Sequence, residues 1–301
     1  MDPERAKFLR EALKSMEVDV VGELKKRIKF VIENMNSEKE ENLVTENLEE
    51  IYFQVEDIDM ANVFIKIDGL KLLRELSLTD KVIFKTSAAN ILAVVVQNNE
   101  SAQCLVLENE IIETLVVNIT KTDDLALIKA NILALSCCVR NFQRGLKEFL
   151  DSGKYTEIIN SIAKLYESQK ENKKKGLLSS IFTKFSFFTF AICGEMDDTS
   201  LTKFRSPQTL RAIIKVMSYV VPMEDFLIRS INRLAVDVPR NAEDDYNVKS
   251  DSFKTKVVPT LDMESMNHLK NFIERKTKEF TDTPQMDIDE DVQKSLDRIR
   301  K

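Results

Sequence analysis

The pentapeptide Ala-Asn-Ile-Leu-Ala occurs twice, at 89–93 and 130–134, 41 residues apart. Each copy lies in an apolar run with helical spacing, "FKTSAANILAVVVQNN" and "LALIKANILALSCCVRN". An amphipathic start precedes each copy ("DKVIFKTSA", "DDLALIKA"). A polar break and two shorter helical stretches follow it: "SAQCLVLEN" and "EIIETLVVNI", then "RGLKEFLDSG" and "KYTEIINSIAKL". The stretches ahead of the first copy, "MANVFIKIDG" and "LKLLREL", repeat the arrangement. Gly69 and Gly153, 84 residues apart, each read as closing the second, middle helix of a three-helix unit in the left-handed conformation that glycine adopts without steric cost.

Three helices every 41 or so residues is the signature of armadillo or HEAT repeats. One such unit cannot bury its apolar face alone, so neighbours must stack. Only six Gly and six Pro punctuate the chain, and period-2 alternation never persists, which speaks against strands. The expected fold is all-α: a right-handed armadillo solenoid of about four to five repeats after an N-terminal helical pair. Its expected limits are an N-terminal helical region at 1–42, repeats at 43–238, a loop or insertion at 239–263, a C-terminal helix at 264–280 and a flexible tail at 281–301.

Within the first ANILA helix, Phe84, Ala88, Ile91, Leu92 and Val95 share one face and are assigned to the core. Asn90 and Val94 fall off that face. The long third helix of an armadillo repeat lines a concave groove, so the period yields two groove columns. One runs Glu49, Asn90, Asn131, Ser180, Arg229, and the other, a turn on, Phe53, Val94, Leu135, Lys184, Arg233. The cluster Glu56, Asp57, Asp59 is read as a cap, through Asp59, on the helix that follows or as a meeting point for a basic partner. Arg140 is read as complementing a helix C-terminus or reaching an acidic partner.

A net charge of −6 argues against nucleic-acid binding, which needs clustered positive charge. Cys104, Cys137, Cys138 and Cys193 show neither metal spacing nor a disulfide framework and read as reduced thiols. No signal peptide is expected at the charged N-terminus, and the apolar stretch 176–193 carries Lys184 at its centre and reads as a buried helix. The sole histidine, His268, no phosphate-cradling glycine loop and no nucleophile elbow together argue against an enzyme. The expectation is a cytoplasmic monomer without cofactor, metal, membrane or nucleic-acid partner.

The order "EDIDMANVF" ahead of Gly69, "QNN" one period on and "CVR" at the next resembles the armadillo-type nucleotide exchange factors of heat-shock-protein-70 chaperones. "DPERAKFLREALKS" followed by "VDVVGELKK" resembles that family's N-terminal helices, and the likeness covers about 2–238. The resemblance implies a concave face that binds the nucleotide-binding domain of a cytosolic chaperone of this class and accelerates ADP release. It places Glu49, Phe53, Glu56, Asn90, Val94, Gln97, Asn98, Asn131, Leu135, Arg140, Ser180, Lys184 and Arg229 at that interface. One alternative is an armadillo scaffold or adaptor without exchange activity. Another is a nuclear-import adaptor, disfavoured because no Trp is present and Val94, Leu135 and Lys184 stand where its asparagine ladder would be.

Overall fold

The computed structural model describes residues 19–169, 175–218, 224–235 and 257–282, with residue 297. The expected N-terminal helix in 2–15 and most of the expected insertion and tail lie outside these residues. The fold divides after Val95 into two compact units. All regular structure in the described residues is helical.

The first unit opens with α1 (Val20–Asn34) and α2 (Glu41–Gln54). Leu24, Ile28 and Val31 of α1 pack along Val44, Leu48 and Ile51 of α2, all buried. The triplet α3 (Ile58–Lys66), α4 (Gly69–Leu78) and α5 (Val82–Val96) follows. Asp57, not Asp59, caps α3: its carboxylate accepts from the amides of Asp59 (2.9 Å) and Met60 (3.1 Å).

The second unit repeats that triplet. It holds α6 (Glu100–Glu108), α7 (Ile111–Thr120), α8 (Leu125–Val139), α9 (Gln143–Asp151), α10 (Lys154–Gln169), α11 (Lys175–Glu195), α12 (Asp198–Phe204), α13 (Pro207–Ser218) and α14 (Glu224–Ala235). A 3-10 turn (Val258–Thr260) leads into α15 (Met263–Asp282). Equivalent helices stack in three rows: α6, α9 and α12; α7, α10 and α13; α8, α11 and α14. α15 packs on α13 and so extends the second row, covering a face that an end repeat would otherwise expose. Arg211 of α13 ties the 3-10 turn in place, donating from Nε to the Thr260 carbonyl (2.9 Å) and pairing with Asp262 (3.1 Å).

Left-handed residues mark the repeat boundaries. The break between first and second helices passes through Asp68 (φ 64°), Glu110 (φ 56°) and Gly153 (φ 72°). The break after the third helix passes through Asn98 (φ 55°) and Asn141 (φ 56°). Gly153 therefore plays the expected part, but it follows the first helix of its triplet rather than the second. Gly69 does not play it: it is the buried first residue of α4, and Asp68 takes the left-handed turn. Gly69 is glycine for another reason, since a Cβ there would stand 2.4 Å from the buried Phe64 ring. Gly145, near the start of α9, is crowded too: a Cβ there would stand 2.4 Å from the Phe142 ring.

α11 is long and apolar enough to cross a membrane by length and composition. In this fold its Ile181, Phe182, Phe185, Phe188, Ile192 and Cys193 are buried where α11 packs between α8 and α14. Phe185 and Phe188 surround the buried Tyr155 of α10 together with Phe204. The Tyr155 hydroxyl lies 2.8 Å from Thr189 Oγ1.

Candidate functional site

The proposed groove residues sit on α2 and on the third helices α5, α8, α11 and α14, or at their ends. On α2, packing of Val44, Leu48 and Ile51 turns Glu46, Glu49 and Glu50 to solvent. Phe53 is 64% exposed, edge-on to Tyr52 with ring centroids 5.6 Å apart. Glu56 is exposed just beyond. Glu50 reaches Arg27 (3.5 Å), and Glu41 reaches Lys81 (3.1 Å).

On α5, Phe84, Ala88, Ile91, Leu92 and Val95 are buried as expected. Asn90 and Val94 are half-buried, and Gln97 and Asn98 are exposed. The accessible strip of α5 runs Ile83, Thr86, Asn90, Val94, Gln97. The accessible strip of α8 runs Ala126, Lys129, Leu133, Cys137, Arg140, each 43 residues on. Asn98 and Asn141 obey the same spacing.

The structural period here is thus 43 and not the 41 of the repeated pentapeptide, which overturns two assignments. Asn131 stands in register with buried Ala88, not with Asn90, and is fully buried; so is Leu135. Neither faces a groove. Asn131 Nδ2 donates to the Leu127 carbonyl one turn back (2.8 Å), and its Oδ1 has no hydrogen-bond partner among the described residues. The shared letters reflect a shared apolar helix, displaced by two residues.

In the second unit the face is basic and aromatic. Arg140 ends α8 with its guanidinium carbon 4.7 Å above the Phe187 ring of α11. Its Nε lies 3.9 Å from Glu195 Oε1. Glu195 also accepts from the Asn141 amide (2.7 Å), which braces that left-handed turn. Phe226 of α14 stacks on Phe190 (5.1 Å) and meets Phe187 edge-on (5.5 Å). Ser180, Lys184 and Arg229 are half-buried on the same helices, as is Arg233. Burial pushes the Cys137 thiol up, while the charges of Arg140 and Lys184 pull it back.

Cys137, Phe187, Phe190 and Phe226 escaped the sequence reading. The signal for Phe187 and Phe190 lay in "SIFTKFSFFTF": Phe182, Phe185 and Phe188 follow one helical face, leaving Phe187 and Phe190 on another. Among the described residues no group of His, Cys, Asp and Glu has the arrangement of a metal site.

No protein-family model and no curated protein matches the sequence. Solved structures do. An engineered protein aligns with a TM-score of 0.64 at 14% identity, over 92% of this chain and 98% of that one. A designed armadillo-repeat protein in complex with the peptide (KR)4 aligns with a TM-score of 0.62 at 11% identity, over 92% and 98%. A computationally designed armadillo protein for modular peptide recognition gives 0.61 at 11% identity, over 92% and 98%. The fold is an armadillo-repeat solenoid. At these identities the likeness speaks of fold alone, and the three rows of stacked helices agree with it.

Proposed function

We propose that this chain is a co-chaperone that binds the nucleotide-binding domain of a cytosolic heat-shock-protein-70 chaperone through its third-helix face and accelerates ADP release. The observation that carries the reading is the ordered run of motifs, now tied to repeat boundaries. "EDIDMANVF" supplies the Asp57 cap and the Phe64 ring over Gly69. "QNN" supplies the left-handed Asn98 and the Asn99 cap of α6, and "CVR" ends α8 at Arg140. Exposed Glu49, Phe53, Glu56 and Gln97, with half-buried Asn90 and Val94, offer contacts on the first unit. Arg140, Ser180, Lys184 and Arg229 offer them on the second. Asn131 and Leu135 are not among them.

The chain performs no bond chemistry in this reading. It acts by reciprocal coupling: a partner that prefers the ADP-free chaperone must weaken ADP by the factor by which ADP weakens it. The test is retention of a purified nucleotide-binding domain on the immobilised chain. Retention without nucleotide and release by excess ADP is the expected result. No retention, or retention indifferent to ADP, contradicts it.

A second reading is favoured by the peptide complex of the designed neighbour: an armadillo adaptor that grips a partner segment without promoting exchange. Retention of the domain with no effect on ADP release selects it.

A further inference from the structure

Charge is unevenly distributed along α2 and the third helices. α2 carries Glu41, Glu46, Glu49 and Glu50 and no cation. α8 carries no acid, and α11 carries only Glu195, which lies beside Arg140. Asp123 and Asp124 precede α8, and Asp124 is committed to its cap, accepting from the Leu127 amide at 2.8 Å. Lys129 and Lys184, both half-buried, have no ion-pair partner among the described residues.

Lys129, Leu133, Cys137 and Arg140 form one strip of α8; α11 packs on α8 with Phe187 under Arg140, and Lys184 lies one turn before Phe187 on α11. Lys129 and Arg140 are separated by about 16 Å along the helix axis at 1.5 Å per residue. About five residues of extended chain span that distance, with alternate side chains pointing one way. Leu133 lies between Lys129 and Arg140 on the strip, and the Phe187 ring, 38% exposed, lies under the Arg140 guanidinium, so both add apolar surface beside the cations.

We propose that this strip binds an extended acidic segment of a partner protein, with carboxylates at Lys129 and Lys184 and the chain running over Leu133 toward Arg140 and Phe187. The inference rests on the third-helix face being a protein-binding face. It adds the chemistry of what docks on the second unit. Charge complementarity decides the occupant, because Lys129 and Lys184 would repel a basic segment, and the one carboxylate at the strip's end, Glu195, is engaged by Arg140 and the Asn141 amide.

The test uses the full chain and two fluorescein-labelled octapeptides, (Asp-Glu)4 and (Lys-Arg)4, in anisotropy titrations at low and high salt. The acidic peptide should bind and weaken as salt rises. K129E/K184E should weaken it by at least about tenfold. The same variant should leave the basic peptide's binding no weaker, and K129Q/K184Q should fall between. An unchanged melting temperature confirms that the variant is folded. Absence of binding by the acidic peptide, or equal binding by the folded K129E/K184E variant, overturns the inference. Salt-dependent self-association that occupies the strip and excludes the peptide also overturns it, since the occupant is then a second copy of the chain. The assay contains no chaperone, so a wild-type chain that binds the acidic peptide yet leaves ADP release unchanged rejects the exchange reading alone.

Discussion

Gln103 of α6 donates from Nε2 to the carbonyls of both Cys137 (2.8 Å) and Arg140 (2.9 Å) at the end of α8. The last four carbonyls of a helix lack partners within it, and here a buried amide from a neighbouring helix supplies two. The contact fixes the C-terminus of the helix whose end carries Arg140. Gln103→Leu should cost about 1–3 kcal/mol by leaving buried acceptors unmet. Urea unfolding should register this as a lower midpoint with an unchanged slope.

Asn131 and Asn90 should respond in opposite ways to substitution. Asn90→Arg places a cation on a half-exposed helix face and should move stability by less than about 0.5 kcal/mol. Asn131→Glu buries a charge and should unfold the chain or lower its melting temperature sharply. Asn131→Leu removes an amide whose buried Oδ1 has no partner among the described residues. It should be neutral or stabilising by about 1 kcal/mol. Thermal denaturation of the three variants separates these outcomes.

Gly69 and Glu110 make a second contrasting pair. Gly69→Ala drives a Cβ into the fully buried Phe64 ring, at a cost of about 1–3 kcal/mol. Glu110 holds a φ of 56° that costs a side-chain-bearing residue about 1–2 kcal/mol, so Glu110→Gly should stabilise. Loss of stability in Glu110→Gly would contradict the boundary geometry.

Alkaline pH should weaken the fold. Burial pushes the Cys193 thiol up to about 12, and raises the Cys138 thiol and the Tyr155 phenol well above their ordinary values. The folded chain keeps protons that the unfolded chain releases, starting near pH 9 for a free thiol, so stability is flat below about pH 8.5 and falls as pH rises beyond it. Melting temperatures measured between neutral and strongly alkaline pH check the sign. Thiol labelling of the folded chain should reach half-buried Cys104 and Cys137 before buried Cys138 and Cys193.

The helical class, the three-helix unit and the core face of α5 were legible because apolar spacing is a local property that burial enforces. The register was not. Two copies of ANILA suggested 41, yet exposure and left-handed turns both give 43 between α5 and α8, since what repeats is which face packs and not which letters recur. Asp68 and Glu110 hid in the same way: a left-handed turn announces itself only when glycine or asparagine occupies it. The basic patch around Cys137 was legible in part. Arg140 and Lys184 were named from the sequence, but the stacking of Arg140 on Phe187 depends on how α8 and α11 pack, which no local pattern encodes.

The central claim is tested most directly by stopped-flow release of fluorescent ADP from a cytosolic heat-shock-protein-70 chaperone. The wild-type chain should accelerate release in a concentration-dependent manner. Phe53→Ala, which removes the most exposed aromatic ring of α2, should keep its melting temperature and lose about 2 kcal/mol of affinity, roughly thirtyfold, if the ring anchors the interface. Release unaltered by the wild-type chain at any concentration would contradict the exchange function. Stimulation retained in full by both Phe53→Ala and Lys184→Glu would contradict the assignment of α2 and α11 to the partner-binding residues.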